Sequence, residues 1–330
     1  MKPFAYASAG SVDEALRLLE RDGQAEGGAR PLAGGTDLLT LMKAEVAAPA
    51  RLVDIKRAGL PRGIEAAPDG VGLGALTTLA DIESSPLLGG PYAALGEAAA
   101  VAATPQLRNM ATIGGNLLQR PRCWYFRNRH LSCWLKGGEG CPAREGENQL
   151  HAILGGGACH AVHPSDLAPA LIALDAQALV QGPRGRRTVP VAGLFALPTD
   201  AHRRETRLAA DELIVALRLP AAASGTRSTF RKAMDRRVWA FALVGVAARL
   251  RVEGTRIADA CVVLSGVAPV PWRAHDAERA VLGAEIGPPL FERAADAALA
   301  DASPLRLNGY KIPLARALVR RALETLATAT

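Results

Sequence analysis

The sequence predicts an α/β (α+β) chain of two domains, and three observations carry that expectation. Short strand-like and helix-like patterns alternate through most of its length. The stretch AAASGTR at 221–227 interrupts them as a linker would, giving domains at 1–222 and 223–330. The chain has 330 residues, 49% of them hydrophobic, which suits about two buried cores.

The elements follow in order. Ser11 to Arg21 carries apolar residues at helical spacing, with Ser11 placed to cap and Glu14 three residues on. Arg30–Leu32 leads into the glycine turn Gly34–Gly35, and Asp37–Glu45 resumes a helical pattern. Leu52–Ile55 and Val71–Leu73 read as short strands, and Pro91–Thr104 as an alanine-rich helix. Residues 120–160 lose all periodicity. A loop that long inside a compact domain is functional or disordered, and its cysteines and tryptophans argue against disorder. Leu167–Leu174 reads as a helix, Ala178–Gln181, Thr188–Pro190 and Glu212–Leu219 as strands. Beyond the linker come a helix-like run (Ala240–Leu250), a strand (Ala260–Ser265) and helical patterns at 287–301 and 311–328.

The net charge is +7, and only Lys2, Lys43, Lys56, Lys136, Lys232 and Lys311 among the 39 basic residues are lysines. The arginines are scattered rather than gathered in a stripe or interleaved with stacking aromatics, so no nucleic-acid partner is expected. An anionic ligand or an acidic partner surface suits the charge better. No apolar stretch is long enough for membrane insertion. The opening residues MKPFAYASAG lack the apolar core and cleavage site of a secretory signal, so this chain is expected to carry no signal peptide.

Two loops suggest a phosphorylated ligand. Pro31-Leu-Ala-Gly-Gly-Thr-Asp-Leu-Leu39 follows an apparent strand and opens a helix. Paired glycines let backbone approach a ligand and aim N–H groups at an anion. The second loop, Thr104 to Leu118, holds Gly114–Gly115 among Thr104, Thr112 and Asn116, with backbone donors expected to be exposed there too. Neither matches GxGxxG or GxxxxGK[ST], and either alone reads more readily as an ordinary turn. Together they point to a large phosphorylated cofactor.

The strings PLAGGTDLL, RNMATIGGNLLQ, HPSDLAPAL and RKAMDRRVWAFALV, in that order, resemble the FAD-binding subunits of the molybdenum hydroxylases, the xanthine dehydrogenase and carbon-monoxide dehydrogenase flavoprotein family. The resemblance implies a vanillyl-alcohol-oxidase (PCMH-type) FAD-binding domain of two subdomains, plus a smaller C-terminal α/β domain. It implies that Leu32, Ala33, Gly34, Gly35, Thr36, Asp37, Leu38 and Leu39 hold the FAD pyrophosphate. Thr104, Ile113, Gly114, Gly115 and Asn116 would form the second cofactor loop. Asp166 would contact the ribityl chain or ring edge, and Lys232 would lie near the flavin. The plainer readings are a helix N-terminal acid for Asp166 and a surface charge for Lys232.

Cys123, Cys133, Cys141 and Cys159 fall in one segment, separated by nine, seven and seventeen residues, while Cys261 stands alone in an apolar run. Clustering of this kind suits a four-thiolate site better than disulfides, and the spacing leaves the metal open between iron–sulfur and zinc. Buried free cysteines are the bland alternative. The block from Gln119 to Asp166 resembles the subgroup paired with periplasmic aldehyde oxidoreductases, whose flavin subunit carries an extra [4Fe–4S] cluster; the flavin subunit of 4-hydroxybenzoyl-CoA reductase also has a cluster insertion. The resemblance assigns the four cysteines as ligands and Trp124, Tyr125, Phe126 and Trp134 as their shield. His130, His151, His160 and His163 read as hydrogen-bonding or surface residues, and Cys261 as core packing.

The expected function is therefore an FAD- and [4Fe–4S]-containing electron-transfer subunit of a molybdenum-dependent aldehyde or xanthine-type oxidoreductase. Its implied partners are a molybdenum-cofactor large subunit and a [2Fe–2S] small subunit, in a heterotrimer or its dimer. No acid–base catalyst is assigned. Export to the periplasm with a partner is expected by analogy, and a cytoplasmic location otherwise. The alternatives are a stand-alone NAD(P)H-using flavin oxidoreductase and a zinc-binding scaffold.

Overall fold

In a computed structural model the described residues are 1–23, 27–236 and 238–328, so Arg237 in the RKAMDRRVWAFALV string lies outside them. Helix α1 (Val12–Gly23) begins as its sequence dictates: the Glu14 N–H donates to Ser11 Oγ (3.1 Å) and the Gly10 N–H to Glu14 Oε2 (2.8 Å). It packs on a parallel sheet of β1 (Ala5–Ser8), β2 (Ala29–Leu32) and β3 (Arg51–Asp54), in the order β1-β3-β2. Chain connections at the carboxyl edge of such a sheet are where ligands bind, and the PLAGGTDLL bend leaves β2 there to enter α2 (Leu38–Lys43).

A second, antiparallel sheet takes β4 (Ile64–Ala67), β5 (Gly70–Gly74), β6 (Gln177–Gly182), β7 (Gly185–Pro190) and β8 (Leu213–Pro220), in the order β4-β5-β8-β6-β7. The helices α3 (Leu79–Ser84), α4 (Ala93–Ala100), α6 (Ile113–Leu117) and α8 (Leu167–Ala173) build the core beside it, while α5 (Pro105–Arg108) buries no residue. The expected long helix 91–104 is shorter, because Thr104 restarts the chain as the cap of α5 ahead of Pro105. Residues 120–160 contain only α7 (Trp124–Arg127) and one 3₁₀ turn (Trp134–Lys136).

The third sheet, β12-β11-β10-β9, comprises β9 (Thr226–Ala233), β10 (Val244–Glu253), β11 (Arg256–Ser265) and β12 (Trp272–Arg273). Helices α9 (His275–Val281), α10 (Pro288–Ala297) and α11 (Lys311–Thr328) lie on one face. The run 240–250, expected as a helix, is corrected here: residues from Val244 form β10, a strand paired on both sides. Both faces of that strand are buried. Ala247, Cys261 and Val263 pack toward the core shared with α8, while Val246, Ala248, Val262 and Leu264 pack toward α11. A strand covered on both faces shows no polar alternation, so its letters resemble a buried helix. Cys261 is core packing, as its neighbours suggested.

Candidate functional site

The first glycine bend is tight for identifiable reasons. Gly35 has φ +71°, a left-handed conformation that glycine adopts without strain, and a Cβ at Gly34 would run into the Met110 carbonyl of the second loop. The two loops thus meet backbone to backbone. Among the described residues, the N–H groups of Gly34, Gly35, Thr36 and Asp37 have no acceptor within the protein. Four consecutive donors left open on a half-buried bend are what an anionic ligand would fill.

The second loop differs from the expectation that it too offers free donors. The Gly114 N–H goes to Ala75 O (3.1 Å), that of Gly115 to Thr112 Oγ1 (3.3 Å) and that of Asn116 to Thr112 O (2.8 Å). Thr112 and Thr104 are helix caps, accepting from Gly115 and Leu107. The donors are committed because α6 starts here. The contribution of Gly114 is room: a Cβ would meet Ala75 O at 3.2 Å.

Both loops line one cavity of about 310 Å³, at the lower end of the size usual for small-molecule sites. Ala33, Gly34, Gly35, Thr36, Asp37, Leu38, Gly114, Gly115 and Asn116 are brought together on its wall, whereas Leu32, Leu39, Thr104, Ile113, Asp166 and Lys232 are not part of it. Sequence reasoning missed much of the polar lining, including Arg30, Arg120, Arg122, Arg204, Glu205 and Glu212. Burial lowers the pKa of Arg30, and the charges of Arg204 and Arg120 lower it further, so two more guanidiniums lining the same cavity lie within electrostatic reach of Arg30. Glu205 is buried; its Oε2 meets Arg120 Nε at 3.0 Å and its Oε1 has no partner. Arginines at 30, 120 and 204 are scattered as letters, and only the fold collects them.

Asp37 links this wall to the cysteine segment. Its carboxylate takes Arg122 Nη1 (2.8 Å), Arg127 Nη2 (2.7 Å) and the Arg120 N–H (2.9 Å). Burial pushes Arg122 down to about 10 against the pull of Asp37.

Asp166 and Lys232 find each other instead of the cavity. Lys232 Nζ lies 2.7 Å from Asp166 Oδ2 and donates also to Val101 O (3.0 Å), with both side chains buried. Burial raises the Asp166 carboxyl, and the ammonium opposes that. The neighbouring Ser165 hydroxyl contacts Asn116 Oδ1 (2.5 Å), so the HPSDL segment braces the second loop.

Cys133 and Cys159 share one small core with Leu41, Phe126, Trp134 and Leu135, Cys123 packs against it, and Cys141 is half-buried outside it. Cys123 is within electrostatic reach of Cys133 and Cys141, and Cys159 of Cys141 and Cys123. Backbone N–H groups serve the sulfurs: Tyr125 and Phe126 at Cys123, Leu135 and Lys136 at Cys133, Ala161 at Cys159 (3.4 Å). Burial pushes Cys123 up to about 11 and raises Cys133 and Cys159, so the protein alone keeps these groups as thiols. Among the described residues no three His, Cys, Asp or Glu side chains converge on a point for a single ion. His151 sits against Cys123, and burial, helped by the Lys311 charge, lowers it to about 4. The fully buried His163 also falls to about 4 and stacks edge-on against Phe195. Trp124 and Tyr125 flank His151, and His160 is buried with neither ring nitrogen partnered.

The family described as FAD binding domain in molybdopterin dehydrogenase matches residues 2–222, and the CO dehydrogenase flavoprotein C-terminal domain matches 228–326. The chain is 38% identical over 321 residues to the Aldehyde oxidoreductase FAD-binding subunit PaoB of Escherichia coli (strain K12), covering 96% of each. It is 34% identical over 326 residues to the Carbon monoxide dehydrogenase medium chain of Hydrogenophaga pseudoflava, covering 97% of this chain and 96% of that one. Among solved structures, carbon monoxide dehydrogenase from Hydrogenophaga pseudoflava lacking the Mo-pyranopterin moiety superposes with a TM-score of 0.77 at 33% identity, covering 98% of both chains.

Proposed function

Because this chain belongs to the family of FAD-binding subunits of molybdenum-hydroxylase-type oxidoreductases, we propose that it is the FAD- and [4Fe–4S]-carrying electron-transfer subunit of an aldehyde-oxidising complex. The observation that carries the flavin site is the row of unpartnered N–H groups at Gly34–Asp37 facing a cavity shared with the second loop. When bound, FAD and an iron–sulfur cluster supply the electron-carrying chemistry that links molybdenum and [2Fe–2S] subunits to an external acceptor.

The residues of this chain do the holding. The N–H row and the Arg30, Arg120 and Arg204 guanidiniums bind the pyrophosphate, and Glu205 Oε1 accepts from a hydroxyl of the ligand. Gly114 and Asn116 shape the opposite wall. Asp166 and Lys232 act from behind the site. Cys123, Cys133, Cys141 and Cys159 supply four thiolates; N–H donors at Cys123, Cys133 and Cys159 favour the charged form there, while Phe126 and Trp134 exclude water. Asp37 fixes the cysteine segment against the flavin loop, and Arg122 lines the cavity one residue before Cys123.

The domains are taken as 1–222 and 223–330. The partners are separate molybdenum and [2Fe–2S] chains, and similarity to an aldehyde oxidoreductase subunit favours an aldehyde substrate. Among the described residues no helix is long and apolar enough to cross a membrane.

Anaerobic purification with bound partners, followed by FAD, iron, acid-labile sulfide, zinc and molybdenum analysis, tests the reading. About one FAD and about four iron and four sulfide per chain are expected. Zinc in place of iron would overturn the cluster assignment, and NADH turnover by the isolated chain would favour the stand-alone reductase.

A further inference from the structure

We infer that His151 is a positioning residue for the cysteine site: its ring donates the Nε2–H to the sulfur of Cys123 and holds the reduction potential of a bound cluster above the value it would otherwise have. This rests on the four-cysteine reading above and adds a side-chain group that the ligand set does not contain.

The geometry supports one proton placement. His151 is 2% exposed, and its Nε2 lies 3.2 Å from Cys123 Sγ. Its Nδ1 is buried without a hydrogen bond of good geometry, the Asn148 carbonyl acting only weakly on the ring. A proton on Nδ1 would leave a buried donor poorly satisfied and point a lone pair at sulfur. A proton on Nε2 satisfies the donor and leaves only an acceptor unpaired, the milder defect. With Cys123 as a thiolate, the choice is sharper still, because the sulfur then accepts strongly.

The ring is held where it stands. Trp124 packs edge-on to it, with centroids 5.1 Å apart at 81°. The His151 N–H donates to Asn148 O (2.9 Å), and its carbonyl accepts from Asn308 Nδ2 (3.1 Å) and Lys311 Nζ (3.0 Å). A group anchored on this many sides cannot swing away when the site changes charge. Hydrogen bonds to ligand sulfur draw off negative charge and stabilise the reduced, more negative cluster, which raises its potential. Among the described residues Cys133 and Cys159 receive backbone donors, and Cys123 has the added side-chain donor.

The test uses the complex purified anaerobically with its partners: wild type, His151→Leu and His151→Gln. Iron and sulfide are counted, and the cluster is titrated by electron paramagnetic resonance. The Leu variant should keep its iron and shift to lower potential. The Gln variant, which retains an N–H donor, should recover part of the shift, with the flavin potential unchanged in both. Pulsed resonance of the reduced wild-type cluster, with histidine labelled by ¹⁵N, should show a weak histidine coupling; this needs no variant to fold. Iron-replete variants at the wild-type potential, or a labelled cluster with no histidine coupling, would overturn the inference. A wild-type chain without iron or sulfide would instead defeat the cluster reading beneath it.

Discussion

At the scale of single residues, Gly34 and Lys311 show how a fold assigns work that letters leave open. A Cβ at Gly34 would collide with the Met110 carbonyl, forcing the two cofactor loops apart. Overpacking of this kind costs about 1–3 kcal/mol, so Gly34→Ala should lower FAD affinity about tenfold or more. Gly193→Ala, whose nearest neighbour would be 3.9 Å away, should be neutral. Flavin content after desalting checks both. The first bend was legible because paired glycines before a helix say that backbone must come close; the arginines were not, since charge alone carries no address. Lys311 is wholly buried, donating to His151 O (3.0 Å) and Gly266 O (2.6 Å), and burial pushes its pKa down to about 7. An unfolded lysine titrates near about 10.4, so between about 7 and 10 the unfolded chain binds more protons. Stability therefore rises with pH across that window, by at most about 1.4 kcal/mol per unit, and below it the cost of the buried charge is fully present. Denaturation at pH 7 and pH 9 should show this gain in wild type and lose it in Lys311→Met; equal differences at both values would refute it.

At the scale of elements, the cysteine segment keeps its shape with little secondary structure because the C-terminal part clamps it. Asn308, fully buried, accepts from the Leu305 N–H (2.7 Å) and donates to His151 O and Ala152 O (3.1 Å each). Asn148 Oδ1 answers with the Leu307 N–H (2.9 Å), and the Ser303 N–H reaches Ile153 O (2.7 Å). Asn308→Ala would leave Ala152 O without this donor and the Leu305 N–H without its acceptor, at about 1–3 kcal/mol each, while His151 O keeps Lys311 Nζ. Hydrogen exchange should then quicken over residues 148–154 while β10 and β11 stay protected; unchanged exchange there would show that the clamp does not hold the segment. The four cysteines were visible because they crowd one aperiodic stretch. The clamp was not, because Asn308 and His151 lie 157 residues apart. Residues 240–250 misled for the opposite reason: β10 is covered on both faces, and its pattern lost the alternation that marks a strand.

At the scale of the whole molecule, one of the seams that join the third sheet to the rest runs along β9, and the Asp166–Lys232 pair lies in it. Beside the pair, Glu97 Oε2 accepts from Thr229 Oγ1 (2.7 Å) and the Phe230 N–H (2.6 Å), and Ser228 Oγ bridges the Ala94 N–H (3.0 Å) and Pro91 O (2.8 Å). Each of these bonds runs from β9 to α4 or the turn before it, as Lys232 reaches both Asp166 and Val101 O. Removing one member of a buried ion pair strands the other, so Lys232→Met should destabilise the chain by about 3–5 kcal/mol. Replacing both, as Asp166→Leu with Lys232→Met, removes the stranded charge and should restore most of that loss. The wild type, Lys232→Met and the double variant separate two roles when flavin content is measured beside stability. If the pair only ties the seam, the double variant regains both stability and FAD. If either side chain also touches the flavin, stability returns while FAD stays low. A double variant no more stable than Lys232→Met would mean that the stranded Asp166 charge is not what weakens the fold, and the seam must then rest on Glu97, Ser228 and the apolar contacts of Ala247, Cys261 and Val263.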